Sequence, residues 1–86
     1  MTRERWLTLS TRDQLGHVGA ELTRARLAAD DALRGALLER ALQLLDFSLD
    51  DPRWKENVLQ ILTLRDLTAE AYLGAEAPLE RALAAL

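Results

Sequence analysis

The sequence predicts an all-α fold, a small helical bundle of three long helices plus a short C-terminal helix. Twenty of the 86 residues are Leu and fourteen are Ala, and both residue types rank among the best helix formers. The residues that strands favour are scarce, since Val18, Val58 and Ile61 are the only β-branched aliphatic residues and four residues are aromatic. At this length we expect a single domain over residues 1–86.

The first long helix is predicted from about Thr11 to Ala29, after a short helical turn within residues 2–9. Ser10 precedes it as an N-cap, and Asp13 stands three residues later at the acidic position of a capping box. Its apolar residues recur at alternating spacings of three and four, which predicts one narrow stripe facing the core. The stripe comprises Leu15, Val18, Leu22, Ala25 and Ala29.

The second long helix is predicted from about Asp31 to Leu49, with Asp30 or Asp31 as its cap. At 100° per residue its apolar side chains cover about half of the circumference, whereas a surface helix needs an arc only somewhat wider than ~100°. We therefore expect this helix at the centre of the bundle, in contact with two neighbours. The residues of the arc are Leu33, Leu37, Leu38, Ala41, Leu42, Leu44, Leu45 and Leu49.

The third long helix is predicted from Pro52 to Leu73, with Asp51 as its cap and Gly74 as its left-handed stop. Taken as one continuous α-helix, it presents an apolar face that comprises Trp54, Val58, Ile61, Leu62, Ala69 and Tyr72. Pro78 opens the short last helix, Leu79 to Leu86, which is too short to be stable without docking.

Composition argues against several classes of function. The formal net charge is −3 and there is no Cys, so a disulfide framework and a thiolate metal site are excluded. No apolar run approaches the ~20 residues of a membrane span, and the N-terminus lacks an apolar leader segment, so we expect a cytoplasmic protein. No phosphate-binding loop or hydrolase motif occurs, so we predict neither an enzyme nor a cofactor.

Arg65 breaks the local pattern, because the continuous helix places it near the middle of the third helix's apolar face. A charge buried without a partner is costly, so we expect Arg65 to pair with a carboxylate or to reach solvent. The expected partners are Glu21 and Asp46. A structural ion pair is the favoured interpretation, and recognition of an anion or of a partner protein is the functional alternative.

Asp13, His17 and Glu21 recur every four residues on one flank of the first helix, beside Arg24. Carboxylate and imidazole groups at this spacing can bind a divalent metal, but three ligands on one straight helix converge poorly, so another helix would have to contribute. A solvated stripe is the favoured interpretation, and a metal-binding protein is kept as an alternative function.

Two glycines and three leucines suggest close packing or an interface. Gly16 and Gly19 lie inside a helix, where glycine costs ~1 kcal/mol relative to Ala, so we expect close approach of another segment or of a partner subunit. Leu27, Leu64 and Leu67 point away from the predicted faces of their helices. A cluster of exposed leucines marks an interaction surface, so a homodimer or partner contact is predicted there.

The first third of the chain also resembles a known group. Residues 6–10 (WLTLS), 13–21 (DQLGHVGAE) and 24–25 (RA) are similar to the pattern W-x-x-L-S, E-Q-L-x-N-I-G-S-E and R-A of a group of small uncharacterised helical proteins from bacteria and archaea. The likeness extends over residues 5–67, although His17 stands for the usual Asn and Ala20 for Ser. The resemblance implies a compact helical domain without an assigned activity. It also implies that one polar cluster unites Gln14, Gly19, Glu21, Arg24 and Arg65.

These observations predict a small cytoplasmic helical protein that acts through protein–protein contacts, as a homo-oligomer or an accessory subunit. With His17 from the acidic stripe, the candidate binding cluster comprises Gln14, His17, Glu21, Arg24 and Arg65. The alternative is a nucleic-acid-associated subunit or a toxin–antitoxin-type partner, which the acidic charge disfavours. It requires the N-terminal arginines to share one surface with Arg24 and Arg26.

Overall fold

The computed structural model describes all 86 residues and contains helices and no strand. The α-helices are α1 (Arg3–Trp6), α2 (Thr11–Leu27), α3 (Asp31–Leu49), α4 (Val58–Tyr72) and α5 (Ala77–Ala84). A 3₁₀ helix, Pro52–Asn57, connects α3 to α4. This architecture confirms the predicted all-α bundle of three long helices and a short C-terminal helix. None of the helices combines the length and apolarity that crossing a bilayer requires.

The helix α3 lies at the centre of the bundle, as the width of its apolar arc predicts. It packs against α2 on one side and against α4 on another, and α5 closes the arrangement by contacting both α4 and α2. The C-terminal helix therefore docks within its own chain, where Leu79 and Ala82 are buried. One continuous core of fifteen buried apolar residues runs through these contacts.

Side-chain caps set the beginnings of α2 and α3. Ser10 Oγ accepts a hydrogen bond from the Asp13 amide at 3.0 Å, and Asp30 Oδ1 accepts one from the Leu33 amide at 2.8 Å. Because Asp30 is extended as a cap requires, α2 ends at Leu27, and Ala29 is exposed instead of completing the predicted stripe. Gly74 has a φ of 107°, so its predicted role as a left-handed stop is confirmed.

The predicted apolar face of the third helix is wrong by one residue, and the 3₁₀ helix explains the error. A 3₁₀ helix turns about 120° per residue and an α-helix about 100°. Over the six residues of the 3₁₀ helix, this difference adds up to a rotation close to that of one α-helical residue. The buried face of α4 is therefore shifted by one residue toward the N-terminus. Its side chains are those that directly precede the predicted positions Leu62, Arg65, Ala69 and Tyr72. The buried residues of α4 are Ile61, Leu64, Leu67, Thr68 and Ala71.

This shift corrects two of the predicted interface residues. Leu64 is fully buried and Leu67 nearly so, and both belong to the core. Leu62 and Tyr72, which the continuous helix placed in the core, are exposed instead. Leu27 is exposed as predicted, at the last position of α2.

The corrected face of α4 predicts unequal costs for two neighbouring truncations. We expect Leu64→Ala to lower the free energy of unfolding by about 2–5 kcal/mol, because it leaves a cavity in the core. The matched variant Leu62→Ala removes an exposed side chain and is expected to change it by about 0.5 kcal/mol or less. Urea denaturation followed by circular dichroism measures both, and equal losses would contradict the assigned face.

Candidate functional site

The side chain of Gln14 is fully buried, and all four of its hydrogen-bonding positions are occupied. Its Nε2 donates to the Trp6 carbonyl oxygen at 3.1 Å and to Asp51 Oδ2 at 2.9 Å. Its Oε1 accepts from Ser48 Oγ at 3.0 Å and from Trp54 Nε1 at 2.7 Å. Gln14 therefore joins α1, α2, the last turn of α3 and the 3₁₀ helix at one point.

Further bonds around Gln14 complete this polar network. The indole Nε1 of Trp6 donates to Ser48 Oγ at 2.9 Å, so both tryptophans place their only polar atom in the network. Arg53 binds Asp51 with its Nε and Nη2 atoms and also donates to the carbonyl oxygens of Leu7 and Leu9. The segment between α1 and α2 is thereby held against the beginning of the 3₁₀ helix.

The carboxyl group of Asp51 is buried in this network and remains charged. Hydrogen bonds from the Arg53 side chain lower the pKa of Asp51 from 3.8 to about 2, against the opposing effect of burial. The Arg53 amide and the Gln14 side chain contribute in the same direction. Because its groups bind one another and are largely enclosed, this network is suited to holding segments together.

Gln14 is thus a member of the predicted cluster with different partners from those expected. The sequence contained a usable signal for the partners that the structure shows. Ser48 lies four residues after Leu44 and seven after Ala41, so it occupies the apolar face of α3, where a polar side chain needs a partner. Two tryptophans in a short chain supply the matching donors, since a buried indole usually requires an acceptor.

A cleft of about 360 Å³ lies beside this network, between the N-terminal segment, α2 and α3. It contains two of the predicted candidates, His17 and Glu21, on its α2 side. The His17 ring meets the Trp6 ring edge-on, with centroids 5.9 Å apart. The other residues of its wall are Met1, Trp6, Arg40, Gln43 and Leu44.

Glu21 is an unusual carboxylate, because its side chain is only 9% exposed and one of its oxygens has no partner. Oε1 accepts from Arg24 Nη1 at 3.0 Å, and Arg40 Nη1 lies 4.0 Å from the same oxygen. Oε2 makes no hydrogen bond although it is buried. An unsatisfied buried acceptor costs about 1–3 kcal/mol and more for a charged group, so this atom is a candidate for binding a donor.

Arg40 and Gln43 are the cleft residues that sequence reasoning missed. They lie three residues apart on α3, across from α2, and nothing in the pattern of either helix indicates that they meet Glu21. Both are exposed polar residues of a kind that any surface helix carries. Only the packing of α3 against α2 brings them to the cleft.

Arg65 does not belong to this cluster. It lies on α4, half-exposed, and its Nε donates to Asp46 Oδ1 of α3 at 2.6 Å. This pair raises the pKa of Arg65, and it matches one of the two expected partners. The expected position near the centre of the apolar face is wrong because of the shift along α4, and the carboxylate of Glu21 meets Arg24 and Arg40 instead of Arg65.

The remaining candidates are dispersed. No three Asp, Glu or His side chains lie close enough to share a metal ion, so Asp13, His17 and Glu21 do not converge. A Cβ at Gly16 would meet open space, and at Gly19 it would lie 2.9 Å from Leu86 Cδ1, so the close neighbour is the C-terminal side chain and not a backbone. Arg3, Arg24 and Arg26 pair with acids on three different helices: Asp50, Glu21 and Glu80.

Comparison of the chain with protein-family models, with curated proteins and with solved structures finds no match. The resemblance to the uncharacterised helical group stays a prediction.

The Gln14 network predicts a large cost for an apolar substitute of similar size. We expect Gln14→Leu to lower the free energy of unfolding by about 3 kcal/mol or more, because Trp54, Ser48 and Asp51 lose partners inside the core. Gln43→Leu, the same change at an exposed position, is expected to cost about 0.5 kcal/mol or less. Chemical denaturation monitored by tryptophan fluorescence distinguishes them, and similar midpoints would refute the role of Gln14.

The depressed pKa of Asp51 predicts an acid-dependent contribution to stability. Its folded pKa of about 2 lies below the unfolded value of 3.8, so the contribution is fully present above about pH 4 and is lost as the pH falls toward 2. Asp51→Asn removes this titration, so we expect the variant to be less stable at neutral pH and to lose less stability on acidification. Urea midpoints between pH 6 and about 2 measure the difference; parallel curves for the two proteins would count against it.

Proposed function

We propose that this protein functions as a homodimer through protein–protein contact along the outward face of α4, and that it does so in the cytoplasm. The observation that carries the proposal is a row of exposed leucines on this helix. Leu59 is 74% exposed, Leu62 39% and Leu73, directly after the helix, 84%. Exposed apolar side chains gathered on one surface mark interaction sites in soluble proteins.

The spacing of these residues places them on one side of α4. Leu59, Leu62, Asp66, Ala69 and Leu73 follow one another at intervals of three, four, three and four residues, which is the spacing of a seam between two helices. The other sides of α4 pack against α3 and α5. The row therefore forms a surface that the chain itself leaves uncovered, and we call it the α4 stripe.

A second copy of the chain is the occupant that the α4 stripe fits. Leu59 and Leu73 each lie seven residues from Asp66, about 10 Å away along the helix axis on either side. In two antiparallel copies related by a two-fold axis at Asp66, Leu59 of each copy lies against Leu73 of the other. The same axis brings the two Asp66 carboxylates near each other, so the attraction in this arrangement comes from the apolar contacts of the leucines.

Leu27 is not part of this surface, although its exposed fraction of 73% is close to that of Leu59. It ends α2, a helix that packs against α3 and α5 and lies apart from the exposed leucines of α4 in the chain. This makes Leu27 a control with matched exposure for any test of the α4 stripe.

The experiment is sedimentation equilibrium over a range of micromolar concentrations, with the wild type and three glutamate variants. We expect a reversible dimer for the wild type and for Leu27→Glu. We expect Leu59→Glu and Leu73→Glu to raise the dissociation constant of the dimer about tenfold or more, since each places a charge in an apolar contact.

Circular dichroism verifies that each variant keeps its helix content. A wild type that is monomeric throughout the range overturns the homodimer. Equal weakening by Leu27→Glu overturns the assignment to the α4 stripe.

A further inference from the structure

We propose that the cleft between α2 and α3 binds a small zwitterion, an α-amino acid whose ammonium group binds Glu21 and whose carboxylate binds Arg40. The cleft lies away from the α4 stripe, on the side of α3 that faces α2. A binding site here is independent of dimer formation.

The buried carboxylate of Glu21 provides the first half of the site. Its Oε1 is bound to Arg24, and its Oε2 accepts no hydrogen bond from any group of the chain. A charged acceptor at this depth requires a donor, and an ammonium group supplies the strongest one. Oε2 is itself covered, so binding requires the side chains that enclose it to move and admit the ammonium group.

Arg40 provides the second half of the site. Its guanidinium is two-thirds exposed, and its nearest carboxylate oxygen is 4.0 Å away, which leaves its donors free for a ligand. Gln43, three residues later on α3, places an amide on the same wall. A carboxylate bound here receives charge-assisted hydrogen bonds of the kind that arginine makes best.

The balance of charge selects a ligand that carries both groups. Glu21, Arg24 and Arg40 together have a formal charge of +1. A simple amine would raise this charge among two arginines, and a simple carboxylate would leave Glu21 Oε2 without a donor. A zwitterion avoids both penalties, because it satisfies the acceptor and the cation while adding no net charge.

The size and the walls of the cleft indicate the side chain of the ligand. A volume of about 360 Å³ is at the lower end of the range of small-molecule sites. Met1, Trp6 and Leu44 contribute apolar atoms to its lining, beside the His17 ring. L-phenylalanine, an amino acid whose ring can contact these residues, is a suitable probe.

The test is an NMR titration of the ¹⁵N-labelled wild-type protein with three probes that differ by one group. L-phenylalanine carries both charges, 3-phenylpropionate only the carboxylate and 2-phenylethylamine only the ammonium. We expect saturable shifts at the amides of His17, Glu21 and Arg40, and affinity for L-phenylalanine at least about tenfold above that for either analogue.

Two variants assign the two halves of the site. We expect Glu21→Gln to weaken the binding of L-phenylalanine and of the amine about tenfold, while the carboxylate probe binds at least as tightly as before. We expect Arg40→Gln to weaken L-phenylalanine and the carboxylate probe while leaving the amine unchanged. Glu39→Gln, which alters an exposed acid bound to Tyr72 on another face of α3, is the matched control and should bind like the wild type.

Absence of saturable shifts with L-phenylalanine overturns the proposal. Equal affinity for all three probes, or wild-type binding by Glu21→Gln, overturns it as well. The wild-type titration does not depend on any variant, so a variant that unfolds leaves the decision intact.

Discussion

The hydrogen bonds of the Gln14 side chain join two long helices, α2 and α3, to two short segments that have little stability of their own. Four residues of α1 and six of the 3₁₀ helix are too few to persist without tertiary contacts. Gln14 binds both segments, directly at Trp54 and Asp51 and through the Trp6 carbonyl. The position of the 3₁₀ helix then sets the rotation at which α4 begins, and with it which leucines are buried and which are exposed. The core and the outward surface of α4 therefore both depend on one amide.

Two polar side chains about two turns apart on α2 are satisfied to opposite degrees. Gln14 uses every hydrogen-bonding position it has, among groups that are almost all enclosed. Glu21, seven residues later on the same face, is also buried but leaves one oxygen without a donor. A saturated group has no capacity left for a ligand, whereas an unsatisfied charged group gains free energy from one. This contrast separates the structural network from the cleft beside it, although both adjoin the same tryptophan.

Part of the site was predictable because one helix carries it. Grouping His17 with Glu21 needed only helical periodicity, whereas Gln14 joined the predicted cluster through the resemblance to the uncharacterised helical group. The partners of that face could not be predicted in the same way. Arg40 and Gln43 come from α3, and their approach depends on the rotation and height at which two helices pack. Arg65 was assigned to the wrong surroundings for a related reason. The extra rotation in the 3₁₀ helix, close to that of one residue, moved its side chain from the centre of the buried face of α4 to the edge.

The sequence by itself determined the fold class, the bounds of α3, the cap at Ser10, an aspartate cap at residue 30 or 31 and the stop at Gly74. Each of these follows from local chemistry: helix propensity, the width of an apolar arc, a side chain that caps an amide, or a residue without Cβ. Tertiary structure alone decided the face of α4 and the unpartnered oxygen of Glu21. The first depends on a switch from α to 3₁₀ geometry that the contacts of Trp54 and Asp51 stabilise. The second depends on which donors of two packed helices come within reach of one carboxylate, which no single helix specifies.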